Sequence, residues 1–219
     1  MRKKTVRAVL FGPQGCGKGT QGQLLADRFD IPLIGAGDLF RAEISARTQL
    51  GKLVKQYVES GKLAPDELVN AVITSQLKKH DLSRGFILDG YPRNIEQANS
   101  MDRLSKINLA IYLKIPDVEA VRRLAGRRQC THCKSNFHVT DAPPVKPGVC
   151  AVCGGPLKKR ADDVEDVIRQ RLAAFHFMTE PMASYYRQQG VLLQINAEQS
   201  IQYVFADLVK KLARLGFGG

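Results

Sequence analysis

Apolar residues fall along the chain in short runs separated by longer amphipathic stretches, the alternation expected of strands laid side by side and covered by helices. Residues 6–11 are mostly apolar, as in a strand buried on both faces. Leu24, Leu25 and Phe29 then share one face at helical spacing over 21–29, and residues 32–34 resume an extended run that Gly35 and Gly37 break. This β-α-β opening predicts an α/β fold with a parallel sheet. Residues 38–80 read as helical, with Asp38 and Asp66 as caps and Gly61 and Pro65 as punctuation. Short apolar strands follow at 85–90 and 110–115; the first ends in a carboxylate and a glycine, and Pro116 closes the second. The pattern predicts helices over 117–128 and 162–189, a last strand over 191–195 and a closing amphipathic helix over 200–215. No apolar run approaches the roughly 18 residues that span a bilayer.

The texture changes over 129–159, where apolar periodicity fades and three prolines crowd between Pro143 and Pro147. Four of the five cysteines fall here, as Cys130-x2-Cys133 and, sixteen residues on, Cys150-x2-Cys153. A structureless loop of about thirty residues is out of place in a compact domain. Metal crosslinking removes the difficulty, because a metal supplies the stability a core would otherwise provide. Two such knuckles make a tetrahedral four-thiolate site suited to zinc, with no coordination position left for catalysis, so a structural role is expected. A redox CxxC pair is the alternative, and zinc knuckles also bind nucleic acid.

Composition narrows the setting. The 219 residues are 44% hydrophobic and 25% charged, ordinary for a globular protein. The net charge of +12 and pI near 9.7 suggest polyanionic ligands. Nucleotides and nucleic acid would use that charge equally. There is no tryptophan, and the basic residues are spread along the chain. Met1-Arg2-Lys3-Lys4 is basic like the start of a signal peptide, but the apolar run behind it is short and contains Arg7, so a strand of a cytoplasmic protein is expected.

The strongest chemical signal is Gly12-Pro13-Gln14-Gly15-Cys16-Gly17-Lys18-Gly19-Thr20. It fits the phosphate-loop pattern, except that Gly19 stands where Ser or Thr is usual and Thr20 follows. Backbone N–H groups must turn inward around phosphate oxygens, which glycines allow, and the next helix offers its positive end. Lys18 would reach the β- and γ-phosphates and Thr20 the magnesium. Cys16 reads as a small filler of the loop, with a reactive thiol as the alternative. Asp89-Gly90-Tyr91-Pro92-Arg93 follows an apolar strand, where α/β sheets bind ligands. Asp89 would hold hydrated Mg²⁺, and Arg93 would stabilise charge on a phosphate in transfer. Arg41, Arg93, Arg127, Arg160 and Arg171 form a scattered set that could converge on phosphates.

Together these segments resemble the adenylate kinase family, in its form with a long zinc-carrying lid, over nearly the whole chain. Gly15-Cys16-Gly17-Lys18-Gly19-Thr20 matches the family's Gly-x-Gly-Lys-Gly-Thr, which accounts for the displaced threonine. Gly37-Asp38-Leu39-Phe40-Arg41, Gly61-Lys62-Leu63-Ala64, Asp89-Gly90-Tyr91-Pro92-Arg93, Gly126-Arg127-Arg128 and Arg160-Ala161-Asp162-Asp163 match further family segments, with Tyr91 in place of Phe.

The resemblance implies a P-loop three-layer α/β fold with a central parallel sheet, made of a core (1–34, 65–125 and 164–219), a helical monophosphate-binding insertion (35–64) and a zinc-stapled lid (126–163). ATP would meet the loop together with Arg127, Asn136, Phe137 and Gln199. AMP would meet Ala36, Arg41, Lys62, Leu63, Ala64, Gly90, Tyr91, Pro92, Arg93, Gln97, Arg160 and Arg171, with Gln97 reading adenine. Lys18, Asp89, Arg93, Arg127, Arg160 and Arg171 would serve catalysis, with structural Zn and with Mg carried by ATP. The implied reaction converts ATP and AMP to two ADP, in a monomer without membrane or nucleic-acid partners. Two departures bear on the bases: Ala36 replaces a threonine of the acceptor site, and Asn196-Ala197-Glu198 replaces Asp-Gly-Thr beside the donor adenine. A kinase for UMP or CMP is therefore a competing expectation. A zinc-ribbon protein binding nucleic acid is another, although Phe137 is the lone aromatic of the cysteine segment.

Overall fold

The computed structural model describes residues 4–60 and 62–218. The first three residues of the basic start, the Gly61 expected to punctuate the helices, and Gly219 lie outside the described residues. The chain runs β1 (Val6–Phe11), α1 (Lys18–Phe29), β2 (Leu33–Gly35), α2 (Ala36–Ser45), α3 (Gln49–Ser60), α4 (Asp66–Leu77), β3 (Gly85–Asp89), α5 (Ile95–Leu104), β4 (Leu109–Lys114) and α6 (Asp117–Gly126). Three short strands follow, β5 (Arg127–Cys130), β6 (Asn136–His138) and β7 (Leu157–Lys158). The chain closes with α7 (Glu165–Ala174), a π-helical turn (Phe175–Thr179), α8 (Met182–Gln188), β8 (Leu192–Asn196) and α9 (Ile201–Arg214).

The main sheet has strand order β2-β3-β1-β4-β8, every pair parallel. Strand period two sends alternate side chains to opposite faces. Along β1, Ala8 and Leu10 join one core while Val9 and Phe11 join the other. The first core is completed by Leu25, Leu124, Leu172 and Leu208 of α1, α6, α7 and α9. The second is completed by Phe40, Ile73, Met101 and Tyr186 of α2, α4, α5 and α8. The result is the expected three-layer α/β arrangement. Because both faces are covered, the central strands carry almost no polar residue, which is why they are legible as apolar runs.

Local detail departs from the periodicity in four places. The apolar pattern predicts no helix over 95–104, yet α5 forms there; its buried face is only Gln97, Ala98 and Met101, too sparse to show as a stripe. Its start is marked by Asn94, whose side chain accepts from Gln97 N. The predicted helical tract over 38–80 divides after α2, where Arg47 takes φ 55°. Asp38 and Asp66 do not cap their helices; they lie in the first turns behind Gly35 and Pro65, where a carboxylate still complements the helix dipole. The long helical pattern over 162–189 is interrupted by the π-helical turn. Residues 129–159 also contain regular structure, an antiparallel sheet of order β6-β5-β7. Those strands have two to four residues each, so no period can establish itself.

Helices α2 and α3 meet at Gly51, where an added Cβ would lie 2.1 Å from Glu43 O. Gly51→Ala is expected to lower stability by about 1–3 kcal/mol through overpacking, read as a fall in the urea midpoint at unchanged slope.

Candidate active site and metal centre

The phosphate loop leaves β1 at the centre of the sheet, where the chain's connections diverge to either side and α/β folds open a ligand crevice. Gly15 and Gly17 take φ of +85° and +92°, which a side chain at either place would strain. Lys18 opens α1, and its Nζ donates to Gly12 O at 2.8 Å and Pro13 O at 2.9 Å. The cation is thus folded over its own loop, with hydrogen bonds that phosphate oxygens can replace. Cys16 is 2% exposed, and burial pushes its thiol above the ordinary range, so it is a packing residue of the loop rather than a reactive thiolate.

Register places Asp89 opposite Leu10, at the same sheet edge as the loop. A Cβ on Gly19 would stand 3.6 Å from Asp89 Oδ2, so the carboxylate faces the start of α1. Burial raises its pKa, against the opposing charge of Lys18. A carboxylate and the Thr20 hydroxyl beside the phosphate loop are oxygen donors suited to a hard cation such as Mg²⁺.

Six of the predicted cations line one cavity of about 780 Å³: Lys18, Arg41, Arg93, Arg127, Arg160 and Arg171. Arg93 Nε donates to Gly90 O at 2.8 Å. Burial, and then the charge of Arg171, pull Arg93 down to about 10. Burial, and then Arg160, likewise hold Arg41 and Arg127 below the ordinary arginine value. In all three, burial comes first and a neighbouring arginine second, so a bound phosphate would favour the charged form of each. Two acids restrain the crowd. Asp162 meets Arg160 Nη2 at 2.5 Å and Arg171 Nη1 at 2.7 Å, and Asp163 accepts Arg127 in a two-point bond at 2.8 and 2.5 Å. Burial alone would raise Asp162, but the bonds and charge of Arg160 and Arg171 outweigh it and hold it far below the usual carboxylate range. Asp162 and Asp163 are visible in the sequence only as part of a matching segment; Asp162 holds arginines close to it in the chain, but nothing local marks Asp163 as the partner of Arg127, 36 residues before it.

The remaining predicted residues divide. Gly15 to Thr20, Leu63, Asp89, Gly90, Pro92, Asn136, Phe137 and Gln199 border the cavity. Ala36, Lys62, Ala64, Tyr91 and Gln97 are not among its lining. Tyr91 and Gln97 stand behind the wall, each 1% exposed. Tyr91 donates its hydroxyl to Asn70 Oδ1 at 2.6 Å, and burial followed by the charge of Asp66 pushes it up to about 12. Sequence reasoning missed Arg122 and Arg123. Arg123 donates to Ala197 O at 2.8 Å and Glu198 O at 3.0 Å, pinning the segment that leads to Gln199. Arg122 spans from α6 to Asp141 beyond β6, at 2.7 Å.

The four paired cysteines converge, with ligand sulfurs all within 4.8 Å of one another. Cys130 and Cys153 sulfurs are 3.5 Å apart, as are those of Cys133 and Cys150. Tetrahedral thiolates about 2.3 Å from zinc lie roughly 3.8 Å apart, so the set can hold a metal ion. The knuckles share a backbone design: Lys134 N donates to Cys130 O and Gly154 N to Cys150 O, and both donor residues take positive φ, 62° and 72°. Among the described residues no helix is long and apolar enough to cross a membrane.

The model of the adenylate kinase family matches residues 10–191. The adenylate kinase of Streptomyces coelicolor is 45% identical over 215 residues, covering 95% of this chain and 99% of the relative. That of Caldicellulosiruptor bescii is 40% identical over 212 residues, with 94% and 99% covered. That of Methanosarcina barkeri is 41% identical over 213 residues, with the same two shares.

Proposed function

The chain belongs to the adenylate kinase family, and on that premise we propose how its residues carry the γ-phosphoryl group of MgATP to AMP, reversibly giving two ADP. The observation that carries the proposal is the convergence of Lys18 and five arginines on one cavity at the sheet edge. Phosphoryl transfer needs little covalent help; positioning and charge neutralisation supply most of the catalysis. The loop from Gly15 to Thr20 holds the donor phosphates, and Lys18 exchanges its loop carbonyls for β- and γ-oxygens. Arg127 joins it on the donor side, with Asn136, Phe137 and the Gln199 segment around the donor base. Arg41 orients the acceptor phosphate, and Arg93, Arg160 and Arg171 neutralise the moving group. Magnesium, bound with ATP, draws charge from the phosphate oxygens, and Thr20 and Asp89 would hold it. On the acceptor side, Leu63, Gly90, Pro92 and Arg93 form the wall for AMP, Ala36, Lys62, Ala64 and Tyr91 are assigned to the same site as their neighbours in sequence, and the buried Gln97 is assigned to the base.

The division into a core, a monophosphate-binding insertion over 35–64 and a lid over 126–163 belongs to the same proposal. Arg127 and Arg160 stand at the two borders of the lid, so its closure would bring cations and exclude water together. Zinc is the metal proposed for the four thiolates. The unit proposed is a monomer, since one chain supplies every group invoked, and the cytoplasm is the setting proposed for it.

The test is a panel of AMP, GMP, CMP and UMP with MgATP, scored by ADP formation. AMP is expected to lead by at least about tenfold in kcat/KM, the selectivity a built hydrogen-bonding site provides. Equal or better turnover of CMP or UMP overturns the acceptor assignment while leaving phosphotransfer intact.

A further inference from the structure

The side-chain amide of Gln97 is held in one orientation. Its Oε1 accepts from the Arg93 backbone N–H at 2.8 Å, and its Nε2 donates to Asp66 Oδ1 at 2.7 Å. A backbone N–H only donates and a carboxylate only accepts, so these partners decide which end of the amide carries the oxygen. Asp66 is itself braced, because Asn94 Nδ2 donates to its two oxygens at 3.1 and 2.9 Å. Asn94 Oδ1 in turn accepts from Gln97 N at 2.8 Å. Turning the Gln97 amide by half a revolution would set its oxygen against a carboxylate and its NH₂ against an N–H. Two attractive contacts would become two repulsive ones, in buried surroundings where such contacts are strong.

We propose that Asp66 is a specificity-determining positioning residue, which, with the Arg93 N–H, locks the Gln97 amide in the one orientation that suits an adenine acceptor and refuses guanine and uracil. This rests on the reading of Gln97 as the residue that meets the acceptor base. Each end of the amide has capacity to spare: Nε2 carries a second N–H and Oε1 a second lone pair. Side by side they complement the amino group and ring nitrogen of adenine. Guanine and uracil present the reverse order, a carbonyl oxygen beside a ring N–H, and would require the amide turned. An unrestrained glutamine turns and discriminates weakly; a braced one pays the full cost of leaving polar groups mispaired. Cytosine presents the same order as adenine, so the lock divides AMP and CMP from GMP and UMP and leaves that last separation to pocket size. The lock is set before the base arrives, since both partners of the amide are already engaged in the free protein, where Gln97 is buried. Ala36 adds no polar group of its own, so selectivity leans on this amide.

The experiment measures kcat/KM for AMP, GMP and UMP in the wild type, Asp66→Asn, Asn94→Ser and Gln97→Ala, with thermal melts alongside. The asparagine of D66N can donate or accept, so it tolerates either amide orientation; AMP preference over GMP and UMP is expected to fall about tenfold. N94S keeps a capping hydroxyl for α5 but releases Asp66, and a several-fold fall is expected even if D66N folds poorly. A simple loss of stability would lower all three substrates together and leave the ratios in place. If Q97A loses discrimination while folded D66N and N94S keep the wild-type ratios, the lock is overturned and base reading by Gln97 stands. If Q97A itself keeps the ratios, Gln97 does not read the base, and the lock falls with it.

Discussion

Lys18→Met is expected to lower kcat by at least about a hundredfold with little change in fold, the scale seen when one preorganised charge-stabilising donor is removed. The structure gives the reason for both halves. In the free protein Lys18 Nζ donates to Gly12 O and Pro13 O, beside the cavity that Gly12 and Lys18 line. Losing them costs about 1–2 kcal/mol each, small beside the loss of a charge-stabilising donor from the transfer step. Methionine keeps the length and the helical preference at the first position of α1. What it cannot supply is positive charge at the β- and γ-oxygens held by the loop, a position that Arg127, anchored on Asp163, and Arg93, anchored on Gly90 O, do not occupy. A coupled ADP assay with a parallel melt checks this. Near-normal turnover in a folded variant would remove Lys18 from the mechanism.

Removing the metal from the cysteine cluster should have the second largest effect, and it should fall on stability. Few side chains around β5, β6 and β7 are buried, and two of those are Cys130 and Cys150. The four thiolates therefore take the place of a hydrophobic core in this segment. Treated as a crosslink closing the Cys130–Cys153 loop, the metal contributes on the order of 2–4 kcal/mol. In a chain of this size that corresponds to roughly 5–15 °C of melting temperature. Strong chelation, or Cys130→Ser, is expected to produce such a fall with release of one equivalent of zinc to an indicator dye. Turnover well below the new midpoint should change by no more than a few-fold, because no coordination position faces the reacting phosphates. A demetallated protein that melts at the original temperature would mean that the thiolates, unmetallated, already suffice.

The two predictions differ in how early their residues could be recognised. Lys18 and the cysteines declare themselves through spacing, since a phosphate loop demands glycines at set intervals and a four-thiolate site demands two tight pairs. The arginines do not. Motif matching singles out Arg127 but not Arg122 or Arg123, and neither motif nor spacing shows that Arg127 bonds Asp163, 36 positions on, while Arg123 pins a loop 74 positions away. Helix α5 escaped notice for a related reason, because its buried face is mostly a glutamine and an alanine.

By itself, the sequence determined the parallel sheet, the phosphate loop, the paired cysteines and the family, because each rests on a local rule: short apolar runs, glycines at set intervals, paired thiols, matching segments. Tertiary structure alone decided which cations share the cavity, that Asp162 and Asp163 restrain them, that Gln97 and Tyr91 stand behind its wall, and which way the Gln97 amide points. Most of those outcomes depend on partners distant in the chain, such as Arg127 for Asp163 and Asp66 for Gln97, and even where the partner is near, the charge and hydrogen-bonding capacity of a side chain do not reveal, before folding, which of many equivalent partners it will meet.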